Sequence, residues 1–77
     1  MKFNLIDTVV LSRDIPKYNL KKGDLGTVVQ IYGEHDYEVE FVTAGGHTQA
    51  LTSLNEKDIR IVESKDMVSV RVLQEVV

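Results

Sequence analysis

Leu20-Lys21-Lys22-Gly23-Asp24-Leu25-Gly26-Thr27-Val28-Val29 joins a polar turn with two glycines to a β-branched run, and the other apolar runs are spaced to pack around it. Gly23-Asp24 is turn chemistry, with glycine supplying the positive φ that other residues resist. Gly26 opens a strand from Thr27 to Tyr32, where the missing side chain allows close approach of a neighbour or a bulge. Val28, Val29 and Ile31 break strict alternation, which again fits a bulge.

Upstream, Asp7-Thr8-Val9-Val10-Leu11-Ser12 reads as a first strand. Val9 and Leu11 share the core face by period two, which turns Val10 the other way and requires partial cover for it. Pro16 holds no regular ladder position and biases Ile15 toward extended geometry. Ile15 to Gly26 is therefore expected to be a long loop, pinned by Ile15 and Leu20 tucking inward; loops of about twelve residues are often binding loops.

Downstream, Tyr37 to Val42 alternates cleanly, with Tyr37, Val39 and Phe41 inward and Glu38 and Glu40 outward. Gly33-Glu34-His35-Asp36 makes the hairpin loop before it, and Ala44-Gly45-Gly46 the turn after it. Thr48 to Thr52 is a fourth strand. Ser53-Leu54-Asn55-Glu56 matches a capping box, with room for one 3-10 turn before Ile59 and Ile61 form a fifth strand. Residues 1–62 thus read as an all-β, SH3-like five-stranded barrel with one 3-10 turn before strand five.

Residues 63–77 form a C-terminal extension. In Met67-Val68-Ser69-Val70-Arg71-Val72-Leu73, Val68, Val70 and Val72 alternate with Ser69 and Arg71, and β-branching favours strand over helix. A five-stranded barrel does not need this segment. It is expected as an extra strand that either extends the sheet or pairs with a second copy.

A chain of 77 residues makes one domain, and at this size only roughly 60–65% of the unfolded surface is buried. The chain has no cysteine, so disulfides, thiolate metal sites and cysteine nucleophiles are excluded. The apolar run before Asp7 is too short for a signal peptide, and no stretch approaches the ~20 apolar residues of a membrane helix. The expectation is a cytoplasmic protein. A net charge of −3 disfavours nucleic acid as a partner. The charge is uneven: Arg13, Lys17, Lys21 and Lys22 face Asp14 alone between residues 13 and 22, while residues 34–40 hold Glu34, Asp36, Glu38 and Glu40 without Lys or Arg.

Several segments in order carry a family resemblance: Leu5-Ile6-Asp7-Thr8-Val9-Val10-Leu11, Asp14-Ile15-Pro16, the Leu20–Val29 stretch, Tyr37-Glu38-Val39-Glu40-Phe41, Gln49-Ala50-Leu51 and Asp58-Ile59-Arg60. Over residues 3–62 the chain resembles a family of small bacterial proteins described as domain of unknown function 4926. The resemblance implies an SH3-like fold and brings no established activity. More distantly, the strand, the Pro-containing loop and the Leu-Lys-x-Gly-x-x-Gly-x-Val turn are similar to those of accessory barrels. These are the variable chain of ferredoxin–thioredoxin reductase and the β-subunit of nitrile hydratase, both non-catalytic protein-binding modules. Gly26-Thr27-Val28 also resembles the Gly-x-Val of KOW barrels.

No catalytic, metal or cofactor site is expected. His35 with Glu34 and Asp36 offers a hairpin tip, which alone cannot close a zinc site, and His47 is a strand-start residue. Ser12, Ser53, Ser64 and Ser69 show no nucleophile motif, and Gly23-Asp24-Leu25-Gly26 leads into a strand rather than a phosphate-binding helix. The candidate partner-binding residues are Arg13, Lys17, Tyr18, Lys21 and Lys22, an aromatic among cations. The candidate oligomer strand is Val68, Val70 and Val72. The leading expectation is a non-catalytic module that binds another protein as an accessory subunit or as a neutralising, immunity-like partner. The alternatives are a KOW-like nucleic-acid-binding barrel and a homodimer held by the C-terminal strand.

Overall fold

The computed structural model describes residues 2–73. Five antiparallel strands form one sheet: β1 (Thr8–Leu11), β2 (Leu25–Tyr32), β3 (Asp36–Val42), β4 (Thr48–Asn55) and β5 (Ile59–Ile61), in the order β4-β3-β2-β1-β5. The two outermost strands follow one another in the chain, joined only by a 3-10 turn, Glu56–Asp58. Four strand spacings of about 4.8 Å would hold the edges of a flat sheet about 19 Å apart. A three-residue 3-10 turn rises only about 6 Å. The sheet therefore curls into a barrel-like form, with its core on the concave side.

That core is Phe3, Val9, Leu11, Ile15, Leu20, Val28, Tyr37, Val39, Phe41, Ala50, Leu54 and Ile59. The period-two readings of β1 and β3 hold: Val9, Leu11, Tyr37, Val39 and Phe41 are all inside. Val28 pairs with Val39 and Gln30 with Glu38, so Val29 is the extra residue of a bulge in β2. Gly26 does close-approach work rather than supplying a positive φ. A Cβ there would lie 2.6 Å from Val39 Cγ1 and 2.9 Å from Phe41 Cε1. The β2 backbone therefore rests on the side chains of β3, and only glycine leaves room.

Phe3 is a core residue that no alternation marks. Its ring meets Tyr37 edge-on at 5.1 Å, and the Tyr37 hydroxyl accepts hydrogen bonds from the backbone N–H groups of Lys2 and Phe3. Burying the Tyr37 ring thus fixes the N-terminal segment across the barrel.

The loop from Ile15 is pinned as its sequence implies, with Ile15 and Leu20 buried and bridged to each other. It carries its own 3-10 turn, Pro16–Tyr18, which Asn19 ends in the left-handed conformation that asparagine tolerates. β2 starts at Leu25, two residues before the expected Thr27.

Three sequence expectations are corrected. β4 does not stop at Thr52 but continues to Asn55, because β3 pairs with it as far as Asp36↔Asn55 and Leu54 belongs to the core. The capping box is consequently Asn55 with Asp58, not Ser53 with Glu56. Ser53 Oγ instead donates across the sheet to Glu38 Oε1 at 2.7 Å. The strand expected over Val68, Val70 and Val72 is absent: residues 62–73 contain only a turn at 64–65 and otherwise irregular chain.

Candidate functional site

The cationic loop is folded down onto the barrel. Arg13 Nε donates to Asp58 Oδ1 at 2.8 Å. Burial alone would raise the Asp58 pKa, but the Arg13 hydrogen bond and charge, with the Asn55 N–H, hold it below its ordinary value. The backbone N–H of Lys22 donates to Asp14 Oδ1 and that of Lys21 to Asp24 Oδ2, each at 2.8 Å. Both are amide donors that could otherwise face an anion, and both are occupied. Tyr18 is not the exposed aromatic its sequence context implies. It is half-buried against the core, its ring 5.1 Å from Lys17 Nζ and its carbonyl oxygen accepting from Gln49 Nε2. What remains at the surface is the side chains of Lys17, Lys21 and Lys22 around a self-satisfied turn.

A second region is built by the tail. Across β2, β1 and β5 the outward row is Leu25, Val10 and Arg60, set side by side by the strand register. Arg60 forms a two-point fork with Asp66, Nη1 to Oδ2 and Nη2 to Oδ1, both at 2.8 Å. Arg71 forms another with Asp24, just before β2, and its Nη2 also donates to the Asn19 carbonyl at 2.9 Å. The tail is thus fastened at β5 by Asp66 and at β2 by Arg71, and it crosses β1 in between. A chain running across strands cannot join their ladder. This is why the alternating valines do not become a sixth strand. A groove of about 700 Å³ lies between this strap and the barrel, bordered by Val10, Leu25, Val42 and Val62 on one side and by Val68, Val70 and Val72 on the other.

Both forks perturb their carboxylates. The Asp66 pKa is pulled down to about 2, first by the Arg60 hydrogen bond and then by the Glu63 N–H. For Asp24 partial burial acts upward, and the Arg71 fork, the Lys21 N–H and both cationic charges together outweigh it.

The model of a family described as domain of unknown function, DUF4926, matches residues 5–61. The chain belongs to the DUF4926 family. No curated protein and no solved structure matches it. The DUF4926 match ends at the last residue of β5, so Arg60 lies inside it and Asp66 and Arg71 outside it. The strap lies outside the matched residues and is fastened to Asp24 and Arg60 within them. Neither fork is visible in the sequence beforehand. Arg71 and Asp24 stand 47 residues apart, and only the cation inside a valine run hints that one face of the tail has a polar partner.

The histidines do little in this DUF4926 chain. His35 Nδ1 lies 3.1 Å from Glu56 Oε2 at the barrel end, and that hydrogen bond is the main cause of the lowered Glu56 pKa. The His47 backbone N–H donates to Thr43 Oγ1 in the β3–β4 turn. Among the described residues no group of three His, Asp or Glu side chains could hold a metal ion. Among the same residues no helix is long and apolar enough to cross a membrane.

Proposed function

We propose that the protein is a non-catalytic protein-binding module of the cytoplasm, in which the barrel is a scaffold and the strap with its groove is the binding surface. The observation that carries this reading is apolar surface placed where the core cannot use it. Met67, Val68, Val70 and Val72 are 93%, 75%, 96% and 85% exposed. Leu25, Val42 and Ile61 on the barrel are exposed as well. Scattered apolar residues need no explanation, but a contiguous group of this kind on a small domain marks an interaction site. Partner binding would work by occlusion of the groove or by pairing along the strap. In that role the DUF4926 barrel would serve as an accessory subunit or a neutralising partner.

The nucleic-acid reading is weakened by the loop. Arg13 is neutralised by Asp58, and the Lys21 and Lys22 amides are already engaged. It still gives a distinct result in the deciding experiment, affinity capture from the native host with the full chain as bait. A protein partner retained by Lys21→Ala/Lys22→Ala and lost in Val68→Ser/Val70→Ser/Val72→Ser supports the proposal. Salt-sensitive nucleic acid retained by wild type and lost on the lysine changes, with no protein recovered, overturns it.

A further inference from the structure

The segment Met67-Val68-Ser69-Val70-Arg71-Val72-Leu73 reads almost the same in both directions about Val70. Val68 and Val72 are equivalent around that centre, as are the apolar ends Met67 and Leu73, and Ser69 and Arg71 are the small and long polar pair. A segment with this symmetry is complementary to itself when a second copy runs antiparallel to it, which is the requirement of a two-fold interface. We infer that the partner of the strap is a second copy of this chain, the two tails pairing antiparallel about a two-fold axis at Val70. Val68 then sits opposite Val72 of the other copy, and Val70 opposite its own counterpart.

Three observations on the single chain converge here. The first is backbone: among the described residues, Met67 to Leu73 make no backbone–backbone hydrogen bond, whereas the apolar runs of β1 to β5 are paired in the sheet. Antiparallel pairing would satisfy these groups on one side. The second is side chains: three valines spaced for a strand face stand exposed, and valine pairs across a strand junction shield one another. The third is presentation: the Arg71 and Asp66 forks hold the two ends of the segment on the barrel, so the valines are set out in place rather than carried on a free end. Part of the ordering entropy that a flexible tail would lose on pairing is already spent in the monomer.

The inference rests on the strap being the binding element proposed above, and it is tested so that the two can fail separately. The chain has no cysteine, so single cysteines report register without background. In the purified full-length protein, Val70→Cys is expected to give a disulfide-linked dimer under mild oxidation. Val68→Cys and Val72→Cys alone should give no disulfide-linked dimer, and a mixture of those two should cross-link to each other. Sedimentation of the wild type should show concentration-dependent dimer, lost in Val70→Lys because two like charges then meet at the axis. The Val70→Lys barrel should melt as wild type does. Cross-linking alike at all three positions, or none at Val70 with a wild type that sediments as monomer throughout, overturns the inference. If the second copy fails this test while capture from the host still depends on the valines, only the identity of the partner is lost.

Discussion

Tyr37-Glu38-Val39-Glu40-Phe41 in β3 and Val68-Ser69-Val70-Arg71-Val72 in the tail share one pattern, large or branched apolar residues alternating with polar ones. The first is the centre of the barrel, with β2 on one side and β4 on the other and its apolar side chains 0–2% exposed. The second forms no strand, and its valines face water. The alternation states which residues would share a face. It does not supply the neighbour that makes a ladder. β3 obtains its neighbours through two tight connections, at Gly33–His35 and at Thr43–His47, whereas the tail leaves β5 through a turn that directs it across the sheet. Strand formation here is decided by connection geometry, with propensity as a permissive condition.

The sharpest way to break this comparison is to cut one apolar residue from each region. Phe41→Ala removes a ring from the core and should cost about 3–5 kcal/mol, enough to leave so small a domain largely unfolded. Val70→Ala, at a side chain almost wholly in water, should stay within about 0.5 kcal/mol. Urea unfolding at low protein concentration, where any pairing of copies is absent, measures both. Similar losses at the two sites would mean that the strap is part of the barrel's stability.

Gly26 tests the same contrast from the opposite side, by adding atoms. Gly26→Ala sets a methyl 2.6 Å from Val39 Cγ1 and should destabilise by about 1–3 kcal/mol, unless β3 gives way. Gly23 has open space around it and a φ of +98°, so Gly23→Ala acts only through backbone strain and should cost less, about 1 kcal/mol. Thermal melts would rank the two, since about 1 kcal/mol moves the midpoint of a domain this size by roughly 4–8 °C. A smaller Tyr37→Phe effect is expected, about 1–2 kcal/mol, from the lost acceptor for the Lys2 and Phe3 amides. Exchange of those two amides should quicken beyond what the loss of stability explains.

Much of the barrel was legible because its determinants are local. The Val29 bulge follows from the break in alternation between Val28 and Ile31, the Gly26 contact from a glycine at the head of a buried strand, and the loop anchors from Ile15 and Leu20. The misread parts depend on partners far along the chain. Ser53-x-x-Glu56 and Asn55-x-x-Asp58 fit the same capping template, and the choice is made by β3, whose ladder draws Leu54 into the core and keeps Ser53 in the strand. No local signal reveals that Tyr18 packs on the core beside Gln49 of β4. The strap is the extreme case. Its valines stand out by their alternation, but its course is set by two carboxylate–guanidinium forks, one of which spans 47 residues.

Those forks give the finest distinction between the two regions, because acid should release the strap before any core contact is touched. Asp24 and Asp66 both have folded pKa values below the ordinary 3.8, Asp66 at about 2. For a carboxylate lowered in this way, the stabilisation is complete above the unfolded value and is lost as pH falls through the folded one. The strap should therefore stay fastened above about pH 4 and let go progressively toward pH 2, its Asp24 and Asp66 carboxyls titrating by NMR below the normal aspartate range. Arg60→Gln removes the main cause at Asp66 and should return its midpoint toward 3.8, while Asp24 still follows Arg71. Arg71→Gln should do the converse. In each variant the amide signals of Tyr37 to Glu40 should move least, because β3 borders the groove under the strap only at its Phe41–Val42 end. An Asp66 that titrates at the ordinary value in the wild type would mean that the fork does not hold in solution. The tail would then be a free end, and the contrast with β3 would reduce to ordered against unordered chain.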